Sequence, residues 1–401
     1  MKDNKKGILS FIVGFAVMLF SGVFYAWSLF RVELQAQFPT WTASAVSLNL
    51  SIFIITFCLG SLLGGRLTAR LGQRKVTRLG AILVLIGGAV FLLIGGMEAS
   101  GALVLLYLSY GGLCGVGVGM IYNADLSAVN GCFPKAGGLV SGALLTGFGL
   151  GSLVMGAAVT AVAKITGFYP AFFLSVLLVA VTAFFGAPVM CGGVRKTEDA
   201  PAAAPGEGMS TGEMLRSPIF WLFFLWVLFT TSGGLMVINS SASIATLFGA
   251  AAIVGMIVSV FNGLSRTFIG AFCDKKGSSA SMLVTNVVAV LAGGFLLAAY
   301  HLGSTWLMVG GLITVGITYG CAMSMNATVI REQFGTRCYA SNLSVATLSG
   351  IPASIIGPYV SGLLQDASGG DYRTTFVAVL VFSLVAGVML TGILLLRKRA
   401  K

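Results

Sequence analysis

The chain has 401 residues, of which 57% are hydrophobic and only 9% are Asp, Glu, Lys or Arg. A soluble domain carries about 25% charged residues, so the composition excludes a soluble globular fold and indicates a polytopic membrane protein. The formal net charge of +12 does not mark a nucleic-acid-binding protein, because the basic residues sit between apolar runs. Seven scattered cysteines without a CxxC pair, and a single histidine, His301, lead us to expect no disulfide framework, metal site or cofactor.

The N-terminus, with Lys2, Lys5 and Lys6 ahead of an apolar run over residues 7–30, has the outline of a signal peptide. The run is too long for a signal h-region and lacks a small-x-small cleavage site, so it reads as a retained first helix. Uncharged runs long enough to cross a ~30 Å core follow in order. They lie near 8–30, 43–65, 79–97, 102–124, 137–163, 168–190, 218–241, 247–271, 280–300, 304–328, 341–365 and 373–396. With the N-terminus in the cytoplasm, 20 of the 24 Lys and Arg fall on the inner side; Arg31, Lys164 and Arg373 fall outside and Arg266 within a span. That asymmetry fixes an expected orientation in an inner membrane, with both termini cytoplasmic.

After the second span comes GRLTARLGQRK (65–75), and after the eighth GAFCDKKG (270–277). Each has two glycines seven apart followed by a basic turn, and the copies are offset by 205 residues. The polar stretch at 191–216, with Pro201 and Pro205, reads as a flexible linker. The expected organisation is therefore a six-helix bundle over 1–190, a linker over 191–216 and a second bundle over 217–401. Such pseudo-symmetric halves suit alternating access at a site between them. Glycines at Gly60/Gly64, Gly111/Gly115/Gly119 and Gly147/Gly151 have the four-residue spacing of close helix contacts.

Arg266 ends an uncharged run over residues 247–265. A guanidinium at mid-helix is unfavourable by about 2.5–3.5 kcal/mol on insertion scales, roughly what burying one Leu supplies. A chain that keeps such a group in an apolar segment uses it, and a buried fixed cation most naturally binds an anion. The competing reading is an arginine that snorkels to the interface.

The twelve spans and the doubled glycine/basic loop resemble the major facilitator superfamily. More specific segments resemble its oxalate:formate antiporter branch, related to the monocarboxylate transporters. These are SGVFYAWS (21–28), FPKAGGLVSG (133–142), GEMLRSPIFW (212–221), FNGLSR (261–266), FGT (334–336) and ASIIG (353–357). The resemblance implies an all-α membrane fold of two six-helix bundles, a small organic anion as substrate, and Arg266 as partner of its carboxylate by two parallel charge-assisted hydrogen bonds. It further implies a conformational latch from Arg70, Arg74, Asp274 and Lys275, weakened in the first copy because Ala69 replaces the family's acid. The branch's oxalate binders carry a lysine in helix 11, where Gly350 stands here, and Met323 replaces one helix-10 aromatic beside Tyr319. One cation suits one carboxylate, so the expected substrate is a small monocarboxylate of the formate, lactate or pyruvate type, or a larger anion with a neutral tail.

Candidate lining residues are Tyr25, Trp27 and Ser28 in helix 1, Tyr122 in helix 4, and Phe148 in helix 5. Asn262 lies on the face of Arg266, with Tyr319 in helix 10 and Ser349 in helix 11. Trp27 reads equally as an interfacial anchor, and the stripe Ser344, Thr347 and Ser349 equally as back-bonding to its own helix. Asp125, near the inner end of helix 4, reads as a solvated or capping group more readily than as part of a gate. In proton-coupled relatives the position four before the helix-8 arginine is Asp, and here it is Asn262. The expected partners are thus the lipid bilayer, the anion and a counter-anion or proton, for a monomer. A sugar or drug carrier with a structural Arg266 is the alternative. A membrane enzyme lacks its motifs: there is no HExxH, nucleophile elbow, phosphate loop or intramembrane Asp pair.

Overall fold

The structure, a computed structural model, describes residues 2–133, 137–190, 208–335 and 337–399. Most of the expected linker, residues 191–207, lies outside them, as do Lys135, Thr336 and Lys401. The described chain holds twelve helices long and apolar enough to cross a bilayer. They are α1 Lys5–Gln37, α2 Ala43–Thr68, α3 Gln73–Gly96, α4 Ala99–Cys132, α5 Val140–Thr166 and α6 Phe168–Met190, then α7 Pro218–Leu247, α8 Ala252–Cys273, α9 Lys275–Leu302, α10 Thr305–Phe334, α11 Val345–Ala367 and α12 Arg373–Lys398. Each contains most of one expected run. Several helices run longer because a helix continues past the hydrocarbon boundary wherever its backbone stays hydrogen-bonded.

That extension corrects one expectation. α1 continues to Gln37, so Arg31 is not in an external loop but within the bundle, 1% exposed. A second correction concerns residues 208–216, expected as flexible linker. Gly208 pairs with Gly335, Met209 N–H donates to the Phe334 carbonyl at 2.9 Å, and Thr211–Arg216 is a short helix. Ser210 caps that helix, and Glu213 reaches back to the Ser210 N–H at 2.7 Å, the reciprocal arrangement of a capping box.

The repeat read from the sequence is present in the backbone. Gly72 (φ 81°, ψ 153°) and Gly277 (φ 78°, ψ 167°) close the two matched loops in the same conformation, one accessible in practice only to glycine. The glycine stripes are packing surfaces. Gly111, Gly115 and Gly119 of α4 lie on Ile52, Thr56 and Phe57 of α2, and a Cβ added at Gly115 would stand 2.9 Å from the Phe53 carbonyl. Gly147 and Gly151 seat α5 on Phe15 and Leu19 of α1 in the same way. Close backbone approach supplies the van der Waals contact that lipid does not drive hydrophobically.

α1–α6 form one bundle, with an aromatic centre in which Phe91 and Phe172 lie 4.3 Å apart, centroid to centroid. α7–α12 form the other. The bundles touch where α5 crosses α8: Thr146 Oγ1 donates to the Gly263 carbonyl at 3.3 Å, and a Cβ at Gly149 would stand 2.7 Å from the Ser259 carbonyl. They also touch at the end remote from the basic loops, which we term the far face. There Trp27 Nε1 donates to Asn239 Oδ1 (3.3 Å), Ser28 shares a hydrogen bond with Ser241 (2.9 Å), and Asp366 accepts from the N–H groups of Ala43 (2.7 Å) and Ser44 (2.9 Å). α1, α4 and α11 each depart from α-geometry: a 3-10 turn at Gly22–Ala26 and π-helical stretches at Tyr107–Cys114 and at Ile355–Tyr359, the last containing Pro358.

Candidate functional site

The 3-10 turn in α1 arises where Gly22 presses against α5; a Cβ there would stand 2.6 Å from Gly151 Cα. Residues two apart stand on nearly opposite sides of the helix. Tyr25 faces α5, 5.1 Å from the Phe148 ring, while Trp27 faces α7 and Asn239.

Between the bundles lies a cavity of about 270 Å³. Its wall takes Tyr25 from α1; Phe53, Phe57 and Cys58 from α2; Tyr122 from α4; Phe148 from α5; Asn262 and Arg266 from α8; Tyr319, Met323 and Asn326 from α10; and Gly350 from α11. Tyr122 lies 5.8 Å from Phe148 and 5.1 Å from Phe57, so four rings form a continuous aromatic arc. The far-face contacts close the cavity at one end. Toward the basic loops its rim carries Leu62 and Leu348, 38% and 40% exposed.

Arg266 is half-buried in this wall. Asn262, one helical turn earlier, accepts from Arg266 Nη2 at 3.3 Å and Nε at 3.4 Å. Both are longer than the usual ~2.9–3.0 Å, so the amide tethers the guanidinium without saturating its five donors. Tyr25, Tyr122 and Tyr319 line the same cavity wall as this cation. No Asp or Glu lines the cavity among the described residues. The arrangement is one cation, ringed by aromatic faces and neutral polar groups, with unspent N–H donors.

Of the expected lining residues, Tyr25, Tyr122, Phe148, Asn262, Arg266 and Tyr319 meet in this cavity, and Trp27 and Ser349 do not line it. Trp27 is 1% exposed and hydrogen-bonded to α7. Ser349, also 1% exposed, donates to the Ala346 carbonyl at 2.8 Å, satisfied by its own chain. Asp125 is neither solvated nor a cap. It is fully buried on α4 opposite Gly14, and its carboxylate oxygens have no hydrogen-bond partner. Arg70, Arg74 and Lys275 are exposed, and the side chain of Asp274 lies outside the described residues. Reading the sequence missed Phe53, Phe57 and Asn326. The two phenylalanines sit in a predominantly apolar span with no charge to mark them, so the helix phase, fixed by the glycine contacts of α4, is what distinguishes them.

Two six-helix bundles around a central cavity, sealed at one end and rimmed at the other, are the architecture of a secondary carrier. The chain belongs to the Major Facilitator Superfamily, whose family model matches residues 7–352. It is a multi-pass membrane transporter and not an enzyme. It is 28% identical over 302 residues to the oxalate:formate antiporter of Oxalobacter formigenes, covering 73% of this chain and 69% of that protein. It is 26% identical over 343 residues to the uncharacterized MFS-type transporter YhjX of Escherichia coli strain K12, covering 84% and 83%. Its fold matches the partially occluded inward-open conformation of the xylose transporter XylE from E. coli with a TM-score of 0.70. That match spans 96% of this chain and 97% of that one at 13% identity, and so speaks for the fold alone.

Proposed function

We propose that this carrier exchanges small organic carboxylates, monocarboxylates foremost, with Arg266 as the carboxylate partner. The observation that carries the reading is a half-buried guanidinium in the cavity wall whose hydrogen-bond partner is a neutral amide at 3.3–3.4 Å, with no acid in that wall among the described residues. A cation locked into a structural role would be expected to face a carboxylate, because an uncompensated buried charge is strongly destabilising. Likeness to an oxalate:formate antiporter supports an anionic substrate. Gly350 in the wall, where a second cation is expected of oxalate binders, favours one carboxylate over two.

In this reading the basic face is cytoplasmic, the structure represents the inward-facing state, and Arg70, Arg74, Asp274 and Lys275 latch that face when the opposite one opens. The aromatic arc of Tyr25, Phe57, Tyr122 and Phe148 receives the apolar end of the anion, and Tyr319 flanks the cation. Bound carboxylate neutralises Arg266, so the loaded carrier crosses between states more readily than the empty one. That favours exchange over net transport. Counterflow in proteoliposomes loaded with formate, lactate, pyruvate or oxalate tests it: labelled monocarboxylate should accumulate against unlabelled internal anion. Equal uptake driven by a pH gradient into anion-free vesicles would defeat the exchange mechanism. Accumulation of a neutral sugar with no carboxylate counterflow would defeat the substrate assignment.

A further inference from the structure

Arg31 is a second buried cation, on α1 six residues beyond Tyr25, hence about 9 Å nearer the far face at ~1.5 Å per residue. Its Nη2 donates to Gln365 Oε1 at 2.8 Å, its Nη1 to Ser240 Oγ at 2.5 Å, and its Nε to Gln35 Oε1 at 3.1 Å. All three acceptors are neutral. Asp366, the residue after Gln365, directs its two oxygens to the Ala43 and Ser44 N–H groups at the start of α2. The guanidinium is therefore enclosed by dipoles instead of a counter-ion.

Two of those acceptors belong to the other bundle: Ser240 to α7 and Gln365 to α11. When the far face opens, they leave with that bundle, and Arg31 keeps only Gln35 on its own helix. Its Nη1 and Nη2 donors then face the vestibule. A planar pair of donors released in this way matches the two oxygens of a carboxylate. Asp366, on α11, moves away with the second bundle and does not replace them.

We propose that Arg31 is a second carboxylate-binding site, the station at which the anion is held at the far face before it reaches Arg266. In the closed state the oxygens of Ser240 and Gln365 occupy the places of the carboxylate oxygens. The inference rests on the carboxylate reading and adds an asymmetry to it: capture at the far face depends on Arg31, whereas capture at the basic face does not.

The test measures half-saturation of exchange at each face separately, in intact cells for one and inverted membrane vesicles for the other, with formate, lactate, pyruvate and oxalate as probes. Arg31→Gln should raise the half-saturation concentration at the far face by about tenfold or more, the equivalent of one lost charge-assisted hydrogen bond. At the basic face the value should stay within about twofold, and Arg31→Lys should fall between wild type and Arg31→Gln. Gln365→Glu places a permanent carboxylate where Oε1 now sits 2.8 Å from Nη2. It should hold the far face shut, slowing exchange about tenfold or more, while the purified variant still binds the same anion from the basic side in a thermal-shift assay. Should Arg31→Gln fail to assemble, Arg31→Lys and Gln365→Glu decide. Equal shifts of half-saturation at both faces, or wild-type exchange in Gln365→Glu, would overturn the proposal. A wild-type protein that exchanges none of the four anions, with Arg266→Gln without effect on its transport, would sink the carboxylate reading first and this inference with it.

Discussion

Replacing Asn262 by Asp changes an amide oxygen into a carboxylate oxygen at positions 3.3 and 3.4 Å from two nitrogens of Arg266. The substitution is isosteric, so α8 and the cavity wall keep their shape. At an effective dielectric constant of about 20, unit charges ~4 Å apart attract by about 4 kcal/mol. Desolvation offsets part of that, and charged hydrogen bonds exceed neutral ones by about 1–2 kcal/mol. A substrate carboxylate must then compete with a permanent internal one. Its affinity at neutral pH should fall about tenfold or more, since ~1.4 kcal/mol is a factor of ten. The assay is titration of the purified protein with the best-bound carboxylate, read by thermal shift, because a ligand that binds only the folded state raises its stability. Asn262→Ala serves as control: it removes the tether but leaves the cation, and should cost less than about threefold. Unchanged affinity in Asn262→Asp, or an equal loss in Asn262→Ala, would refute the view that this guanidinium receives the substrate.

Three further outcomes follow from the same structure. Cys58 lines the cavity, so a protein retaining it as the sole cysteine should be alkylated by an impermeant maleimide from the basic face, and bound carboxylate should slow the reaction; labelling only from the far face would contradict the cavity's orientation. Asp125 is fully buried with no hydrogen-bond partner for either oxygen, so Asp125→Asn should leave the thermal midpoint unchanged or raised, and a fall of several degrees would show that its charge is used. The Glu213 carboxyl is held below its ordinary pKa by the hydrogen bonds from the Ser210 backbone and side chain. A depressed folded value means this contribution is present above the ordinary carboxylate range and is lost as pH falls through the lowered one. Protection of the Thr211–Arg216 amides, corrected for the intrinsic pH dependence of exchange, should therefore fall on acidification, and Ser210→Ala should lower it at neutral pH; protection insensitive to both would show that the cap does not hold the helix.

The twelve spans were legible because crossing a bilayer demands ~20 apolar residues whatever the tertiary packing, and Arg266 because a charge in such a run stands out. Arg31 was not legible for a related reason. The apolar run of α1 ends at Phe30, which places Arg31 outside by pattern, yet the helix continues and α7 and α11 cover it. Trp27, which read equally as a lining residue or an interfacial anchor, is neither: two residues after Tyr25 it stands roughly 200° round the helix, buried against Asn239 of α7. The choice for Ser349, lining or back-bonding, is local and is decided by the Ala346 carbonyl. The glycine repeat carried the most transferable information: Gly72 and Gly277 adopt one conformation because both loops make the same turn.

The most direct test of the central claim is carboxylate uptake by proteoliposomes containing wild type, Arg266→Lys and Arg266→Gln at matched protein content. Loss of the planar, two-donor cation should abolish uptake in the Gln variant and leave at most weak uptake in the Lys variant. Wild-type uptake of the same carboxylate by Arg266→Gln would contradict the account.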